Sequence, residues 1–150
     1  MKIDIVWGKG EGRTLLSAFD RALRQAGIHN FNLVPLSSVI PKHARVEEVG
    51  CYRAPVEVGS IRHVVIASWS SRKPRSVISA GLGWVQTKQG GLFLESKGEF
   101  SRQECEMEIR NGLEDMLEVR GWRGEIRTRV VSHRVEKIGS VTVVAVYRPE

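Results

Sequence analysis

Two adjacent serines interrupt an apolar stretch of the chain, and their hydroxyls are its best candidates for covalent chemistry. Ser37 and Ser38 lie in the run Leu-Ser-Ser-Val-Ile at residues 36–40. A buried hydroxyl needs a hydrogen-bond partner, and Pro35 removes a backbone donor, so this segment cannot complete an ordinary central strand. Backbone strain of roughly 1–3 kcal/mol is typical of functional sites. If the peptide between the serines is strained, the Ser38 hydroxyl can attack the Ser37 carbonyl and convert the amide to an ester.

That ester would let the chain build an electrophile from its own backbone. Elimination leaves Ser37 as a new C-terminus and turns residue 38 into dehydroalanine, which hydrolyses to a pyruvoyl group. A ketone at a new N-terminus is an electron sink of the kind that pyridoxal phosphate supplies elsewhere. The same pair of serines also fits a strand end or edge whose hydroxyls bond to the neighbouring backbone, so the residues alone leave both interpretations open.

Two further side chains are candidates for binding and proton transfer. Asp20 borders the apolar face of a predicted helix, where a partly desolvated carboxylate could form a bidentate pair with a guanidinium. Glu95 follows three apolar residues in a predicted strand, and burial there would raise its pKa and keep it protonated as an acid. Asp20 also fits an ordinary carboxylate that meets solvent at the rim of the helix, and Glu95 also fits an ordinary glutamate at a strand end. The residue type of Asn32 by itself indicates only a side-chain hydrogen bond at a turn or strand end.

Apolar periodicity predicts two helices that would position these side chains. The first begins after Thr14 as N-cap and runs to about Gln25, with Gly27 as a left-handed cap. The second begins with a capping box at residues 101–104, worth on the order of 1 kcal/mol, and ends near Arg120.

Strands are expected in the rest of the chain, except in the polar stretch 42–60. The predicted strands are residues 2–7, 31–40, 61–71, 76–87, 91–97, 125–136 and 140–147. Glycines at positions 8, 10 and 12 predict a turn at which the backbone comes close to another segment. The order of elements suggests a duplicated βαββ unit, and sheets each covered by one helix predict an α+β layered sandwich.

Length and composition exclude several classes of protein. The 150 residues suit a single domain, 1–150. The net charge of +6 comes from scattered Lys and Arg with no RNA-binding or zinc-finger signature, which favours a solvated basic surface over a nucleic-acid partner. No histidine has metal-ligand spacing, and no apolar run reaches the ~20 residues of a membrane span. Cys51 and Cys105 are expected to be free thiols in a reducing cytoplasm.

Several segments, taken together, resemble the pyruvoyl-dependent arginine decarboxylases. The similarity covers nearly the whole chain and is densest over residues 10–41, which include Leu36-Ser37-Ser38-Val39-Ile40-Pro41. The further matching segments are 78–81, 91–95, 120–122 and 133–139.

The resemblance implies a fold, an assembly and a processing event. The expected fold is a four-layer αββα sandwich made from a duplicated βαββ unit. The expected assembly is a trimer or a dimer of trimers with active sites between protomers. Cleavage between Ser37 and Ser38 would give a short chain 1–37 and a long chain 38–150.

The resemblance also implies a role for each candidate residue. Ser38 would become the covalently bound pyruvoyl cofactor. Asp20 would bind the substrate guanidinium, and Glu95 would return a proton to the α-carbon after carbon dioxide leaves. Asn32 would assist both processing and catalysis.

The implied activity is decarboxylation of arginine to agmatine, feeding polyamine synthesis. Residues 42–44 and 50–66 depart from the family pattern, and the second stretch should help to shape the pocket. The sequence therefore leaves open histidine or another basic amino acid as substrate. It also leaves open a non-catalytic binding or assembly module with a basic surface that kept the fold.

Overall fold

A computed structural model describes residues 1–149 and places two helices among nine strands there. In chain order these elements are β1 (Lys2–Glu11), α1 (Leu15–Gln25), β2 (Asn32–Pro35), β3 (Val39–Ile40), β4 (Arg45–Gly50), β5 (Ile61–Ser71), β6 (Val77–Gln86), β7 (Gly91–Gly98), α2 (Arg102–Arg120), β8 (Arg127–Arg134) and β9 (Gly139–Tyr147).

The strands form two sheets, and each half of the chain gives a strand to the sheet of the other half. One sheet has five strands in the order β2-β5-β9-β1-β4, and the other has four in the order β3-β7-β6-β8. β9 lies at the centre of the five-stranded sheet, antiparallel to both β5 and β1. All nine of its residues are buried, which explains a nearly continuous apolar run in place of alternation.

The sheets stack face to face, and one helix covers each outer face. The core between the sheets includes Ile5 and Val143 from one sheet and Leu82 and Phe93 from the other. α1 packs against β1, β5 and β9, and α2 packs against β6, β7 and β8. The α+β sandwich of four layers, αββα, is therefore confirmed. Its origin in a duplicated βαββ unit stays a prediction.

Both helices begin and end at the residues that the sequence predicts. Thr14 caps α1 by accepting the Ser17 N–H at 3.0 Å, and Gly27 has a φ of +79°. Ser101 caps α2 by accepting the Glu104 N–H at 3.1 Å. Only half of the predicted capping box forms there, because the Glu104 carboxylate accepts the Ser101 hydroxyl at 3.1 Å.

The glycine turn predicted after residue 7 is wrong, because β1 continues to Glu11. Gly8 and Gly10 instead let α1 lie directly on the strand: a Cβ on Gly8 would collide with the Ala22 carbonyl, and one on Gly10 would lie 2.7 Å from the Arg21 Cβ. The close approach that the glycines predicted is present, but its partner is a helix packed on a strand.

Two further strand predictions need correction. β4 was missed within the polar stretch 42–60, where it pairs in parallel with the first half of β1 as an edge strand. An edge strand lacks the strong apolar pattern of a buried one. The single strand expected over residues 31–40 is two strands, β2 and β3, and they belong to different sheets.

Candidate active site

The segment between β2 and β3 crosses from one sheet to the other, and we call residues 36–38 the crossover. At its first residue, the Leu36 N–H donates to the Val64 carbonyl in the five-stranded sheet at 2.7 Å. At its last residue, the Ser38 carbonyl accepts the Phe93 N–H in the four-stranded sheet, also at 2.7 Å. The crossover is thus anchored at both ends, and the peptide that joins the two serines lies between the anchors.

The two serine hydroxyls are not used by the fold. Ser37 is exposed and Ser38 is half-buried, and among residues 1–149 neither hydroxyl makes a hydrogen bond. The alternative in which these hydroxyls bond to neighbouring backbone is therefore wrong. Left-handed backbone outside glycine occurs at His43 and Arg75 in the described chain, so strain of that kind does not lie at the serines.

Glu95 is a neighbour of Ser38 in the fold. β3 pairs with β7 through Val39 and Leu92, and the bond from Phe93 extends this ladder by one position to Ser38. Glu95 lies two residues beyond Phe93 and therefore on the same face of β7. Diagonal neighbours of this kind in a sheet are about 7–8 Å apart. The structure thus brings the candidate acid to the candidate cofactor precursor.

The predicted burial of Glu95 is wrong for the single chain. Its side chain is 45% exposed, and its Oε1 atom lies 3.9 Å from the Lys97 ammonium. β6 pairs with β7 at Glu95 on one side, but on the other side the crossover leaves the four-stranded sheet just before this point, so β3 does not extend that far. The carboxylate consequently faces solvent beside the crossover.

Asn32 is not in contact with the serines within one chain. It begins β2, where its side-chain amide donates to the Gly59 carbonyl at 2.8 Å. Pro35 is three positions further along β2, a distance of about 10 Å at the usual rise. Its hydrogen bond is that of a strand start, and its role beside the cofactor stays a prediction.

Asp20 lies in a different layer from Ser38. It is exposed on α1, which covers the outer face of the five-stranded sheet, whereas Ser38 bonds to the four-stranded sheet. No hydrogen bond or ion pair of Asp20 is found within residues 1–149. It borders a shallow pocket of about 460 Å³ with Leu16 and Phe19. The single chain therefore does not bring Asp20 to Ser38.

The amino-acid sequence matches a known protein family over nearly its whole length. A family model described as pyruvoyl-dependent arginine decarboxylase matches residues 2–150. The chain belongs to the pyruvoyl-dependent arginine decarboxylase family.

Curated relatives support the assignment along most of the chain. A pyruvoyl-dependent arginine decarboxylase of Pyrococcus abyssi is 41% identical over 115 residues, which is 75% of this chain and 72% of the relative. One from Halobacterium salinarum is 33% identical over 150 residues, or 97% of this chain and 93% of the relative. One from Methanocaldococcus jannaschii is 33% identical over 141 residues, or 91% and 83%.

The cofactor of this decarboxylase family is a covalently bound pyruvoyl group formed from a serine. Ser38 fits this requirement, because its hydroxyl is unbonded and its main-chain carbonyl is held by the Phe93 N–H. A pyruvoyl group made from Ser38 would keep that carbonyl. Phe93 would therefore hold the cofactor in the place where the structure holds the serine.

Tyr147 contacts the candidate site next to the crossover, and the sequence did not single it out. Its hydroxyl donates to the Val39 carbonyl at 2.9 Å, and its ring centre lies 6.3 Å from that of Phe93. Burial raises the pKa of Tyr147 to about 12. A tyrosine at the end of an apolar strand needs a partner for its hydroxyl, and that signal could have pointed to it.

A cavity of about 380 Å³ opens beside the crossover, and its rim is basic. Leu36 and Tyr147 line it together with Arg62, His63 and Arg148. Arg148 also donates to the buried Asp4 carboxylate at 2.6 Å, so part of this positive charge is neutralised. Arginine and histidine side chains of this kind are suited to a carboxylate.

Residues 1–149 contain no group of three or more His, Cys, Asp or Glu side chains that could hold a metal ion. Neither α1 nor α2 is both long enough and apolar enough to pass through a membrane.

Proposed function

We propose that this protein makes a pyruvoyl group from Ser38 and uses it to decarboxylate arginine to agmatine and carbon dioxide. The observation that carries the proposal is the crossover, where an unbonded serine hydroxyl follows the peptide to be cut. Membership of the family over residues 2–150 supports the chemistry. A role in polyamine synthesis and a location in the cytoplasm are part of the same proposal.

Self-cleavage requires one attack, one elimination and one hydrolysis. The Ser38 Oγ attacks the Ser37 carbonyl carbon, and the bond from that carbon to the Ser38 nitrogen breaks to give an ester and a free amine. Loss of the Cα proton of residue 38 then breaks its Cβ–Oγ bond and releases Ser37 as a carboxylate. Water finally replaces the nitrogen of residue 38, which leaves as ammonia, and a ketone remains.

The exposed and half-buried positions of the two serines suit this sequence of steps. Water must reach residue 38 for the last step, and the open side of the crossover admits it. The basic rim of the neighbouring cavity, with Arg62 and His63, favours the carboxylate that cleavage creates or the carboxylate of the substrate.

In the decarboxylation itself, the pyruvoyl ketone supplies the electron sink for the departing carbon dioxide. Glu95, as the nearest carboxyl group along β7, would return a proton to the substrate α-carbon. Asp20 would pair with the substrate guanidinium, a geometry that a carboxylate satisfies with two parallel hydrogen bonds. Asn32 would assist from the start of β2.

The separation of these groups supports a site shared between protomers. Asp20 lies two layers from Ser38 and Glu95, so one protomer would supply the carboxylate for the guanidinium and its partner the cofactor. Exposed apolar side chains surround the crossover, which is typical of an interaction surface. They are Val34 at 39%, Leu36 at 41%, Val39 at 57% and Ile61 at 60% exposure. A trimer or a dimer of trimers is the assembly that we propose.

Intact-mass analysis of the purified protein tests the proposal directly. The wild-type chain should separate on a denaturing gel into fragments 1–37 and 38–150, and borohydride should change the mass of the larger one. Ser38→Ala should stay whole. Ser37→Ala is the matched control and should still be cut, because its hydroxyl is not the nucleophile. A wild-type chain that stays whole after long incubation would overturn the proposal.

The substrate is tested by carbon dioxide release from a panel of amino acids. Arginine should be turned over fastest, and preference for histidine or lysine would retain the chemistry but correct the substrate. A processed protein that releases no carbon dioxide from any of them would favour a non-catalytic module.

A further inference from the structure

β3 is the edge strand of its sheet, and its outer side is closed by a side chain from the other sheet. β7 lies on one side of β3, and the sheet has no strand on the other. Successive carbonyls of a strand point to opposite sides. The Ser38 carbonyl accordingly faces β7 and accepts the Phe93 N–H, whereas the Val39 carbonyl accepts the Tyr147 hydroxyl at 2.9 Å.

Tyr147 reaches this carbonyl across the gap between the sheets. It is the last residue of β9 in the five-stranded sheet and is only 8% exposed. Its ring meets the Phe93 ring edge-on at 61°, which fixes the direction of the phenol. The same residue, Phe93, therefore holds the Ser38 carbonyl through its backbone and orients Tyr147 through its ring.

We propose that Tyr147 is a positioning residue that holds the chain at Val39, both before cleavage and after Ser38 has become the cofactor. The inference rests on the proposed function. Cleavage removes the covalent link between residues 37 and 38, and a newly made terminus frays unless it is tied down. The Phe93 N–H and the Tyr147 hydroxyl then donate to the carbonyls of Ser38 and Val39, the first two residues of the long chain. The third residue, Ile40, is buried in the core.

The hydroxyl of Tyr147 is suited to a permanent tether. Burial raises its pKa to about 12, so the phenol keeps its proton at every pH at which the enzyme is expected to work. It therefore remains a donor, and the Val39 carbonyl keeps its partner throughout the reaction.

Tyr147→Phe is the test, because it removes the hydroxyl and keeps the ring against Phe93. Tyr52→Phe is the matched control: Tyr52 is the other of the two tyrosines, is 6% exposed, packs edge-on against Phe31, and its hydroxyl has no hydrogen bond among residues 1–149. Self-cleavage is followed on a denaturing gel. The values of kcat and KM for arginine are measured per borohydride-titrated pyruvoyl group, and hydrogen exchange is measured for the peptide that begins at residue 38.

Tyr147→Phe should slow self-cleavage and lower kcat by about 3- to 10-fold, as expected from the loss of one neutral hydrogen bond. The KM should stay within about twofold of wild type, and exchange should quicken in the peptide beginning at residue 38 but not in α2. Tyr52→Phe should change none of these.

Two outcomes would overturn the inference and can be told apart. If Tyr147→Phe lowers only the melting temperature, and cleavage, kcat and exchange near residue 38 match Tyr52→Phe, Tyr147 is merely structural. If wild type itself is not cut, the proposed function fails, and the positioning role fails with it.

Discussion

Glu95 lies beside Ser38, the proposed cofactor precursor, yet its side chain is open to solvent. Its nearest charged partner is Lys97, at 3.9 Å, and its side chain is nearly half exposed. An acid that returns a proton to the substrate needs water to be excluded when it acts. In the trimer that we propose, the neighbouring protomer would have to cover Glu95 and exclude water from it.

Replacing Glu95 by Gln should separate processing from catalysis. The amide keeps the size of the side chain but cannot donate the carboxyl proton, and general acid catalysis contributes typically 10²–10⁴-fold. We expect self-cleavage to proceed and arginine turnover to fall by about 10²-fold or more. Gel analysis measures the first and carbon dioxide release the second.

Glu99→Gln provides the control for this substitution. Glu99 follows the same strand, is 47% exposed and pairs with Lys73 at 3.2 Å, so its surroundings match those of Glu95 apart from the distance to the crossover. The Glu99→Gln variant should keep arginine turnover within about twofold of wild type, because an exposed ion pair usually contributes little. If Glu95→Gln and Glu99→Gln lost the same amount of turnover, Glu95 would have no specific role in the reaction.

The sequence could identify the candidate residues but not their surroundings. Ser38, Glu95, Asp20 and Asn32 were found from residue type and from resemblance to a family. Whether Glu95 is buried depends on which strand runs beside it, and that pairing joins residues more than 50 positions apart. Tyr147 was missed for the same reason, since its partner lies 108 positions away.

At the scale of elements, Glu11 fastens the end of β1 to the turn between β8 and β9. Its carboxylate accepts the N–H groups of Lys137 at 2.9 Å and Ile138 at 3.1 Å. It also lies 2.7 Å from the His133 Nε2, which must donate because an ionised carboxylate only accepts. β1 and β8 belong to different sheets, so this carboxylate joins the two sheets at one end of the sandwich.

The protonation of Glu11 should make this junction sensitive to acid. Partial burial raises the Glu11 pKa, but the hydrogen bonds from Lys137, His133 and Glu136 lower it, and the net pKa lies below its ordinary value of 4.5. A carboxylate with a lowered folded-state pKa stabilises the fold above the unfolded-state pKa. That stabilisation is lost as the pH falls from about 4.5 through the lower folded-state pKa.

Glu11→Gln should lower the free energy of unfolding at pH 7 by about 1.5–3 kcal/mol, the scale of a hydrogen bond to a charged group. The difference from wild type should shrink as the pH drops below 4.5, because the wild-type carboxylate then also loses its charge. Denaturant titrations at several pH values measure it. Glu136→Gln, in the adjacent turn and exposed, should change stability little at any pH. A Glu11→Gln deficit that is constant with pH would contradict this account.

Element predictions succeeded where local signals are strong and failed where contacts are distant. The capping residues Thr14 and Ser101 fix the starts of both helices through bonds within four residues. The crossover was read as part of one strand because its composition is apolar on both sides. The strand is interrupted there because β2 and β3 belong to two different stacked sheets. The contacts that form those sheets join residues far apart in the chain, so a window of ten residues does not reveal them.

At the scale of the whole molecule, the layers decide which residues can share an active site. Ser38 and Glu95 are neighbours through β7, whereas Asp20 lies on the helix outside the opposite sheet. The whole five-stranded sheet lies between α1, which carries Asp20, and the space between the sheets. If all three act on one arginine, Asp20 must come from another protomer.

Mixed oligomers test this arrangement. Co-expression of Ser38→Ala chains, which lack the cofactor, with Asp20→Asn chains, which lack the guanidinium partner, should restore activity. In a random one-to-one assembly, about one quarter of all active sites should combine Ser38 from an Asp20→Asn chain with Asp20 from a Ser38→Ala chain. Different affinity tags on the two chains allow the mixed oligomers to be purified, and carbon dioxide release from arginine measures the recovery above either variant alone.

Mixing Ser38→Ala with Glu95→Gln is the matched control, and it should restore nothing. Both residues come from the same protomer, so every site with a cofactor would also carry the Gln at position 95. Recovery in the first mixture but not in the second would thus locate the protomer boundary between Asp20 and the Ser38–Glu95 pair. Absence of recovery in both, with mixed oligomers shown by their tags, would instead mean that the three residues act within one chain or that Asp20 does not bind the substrate.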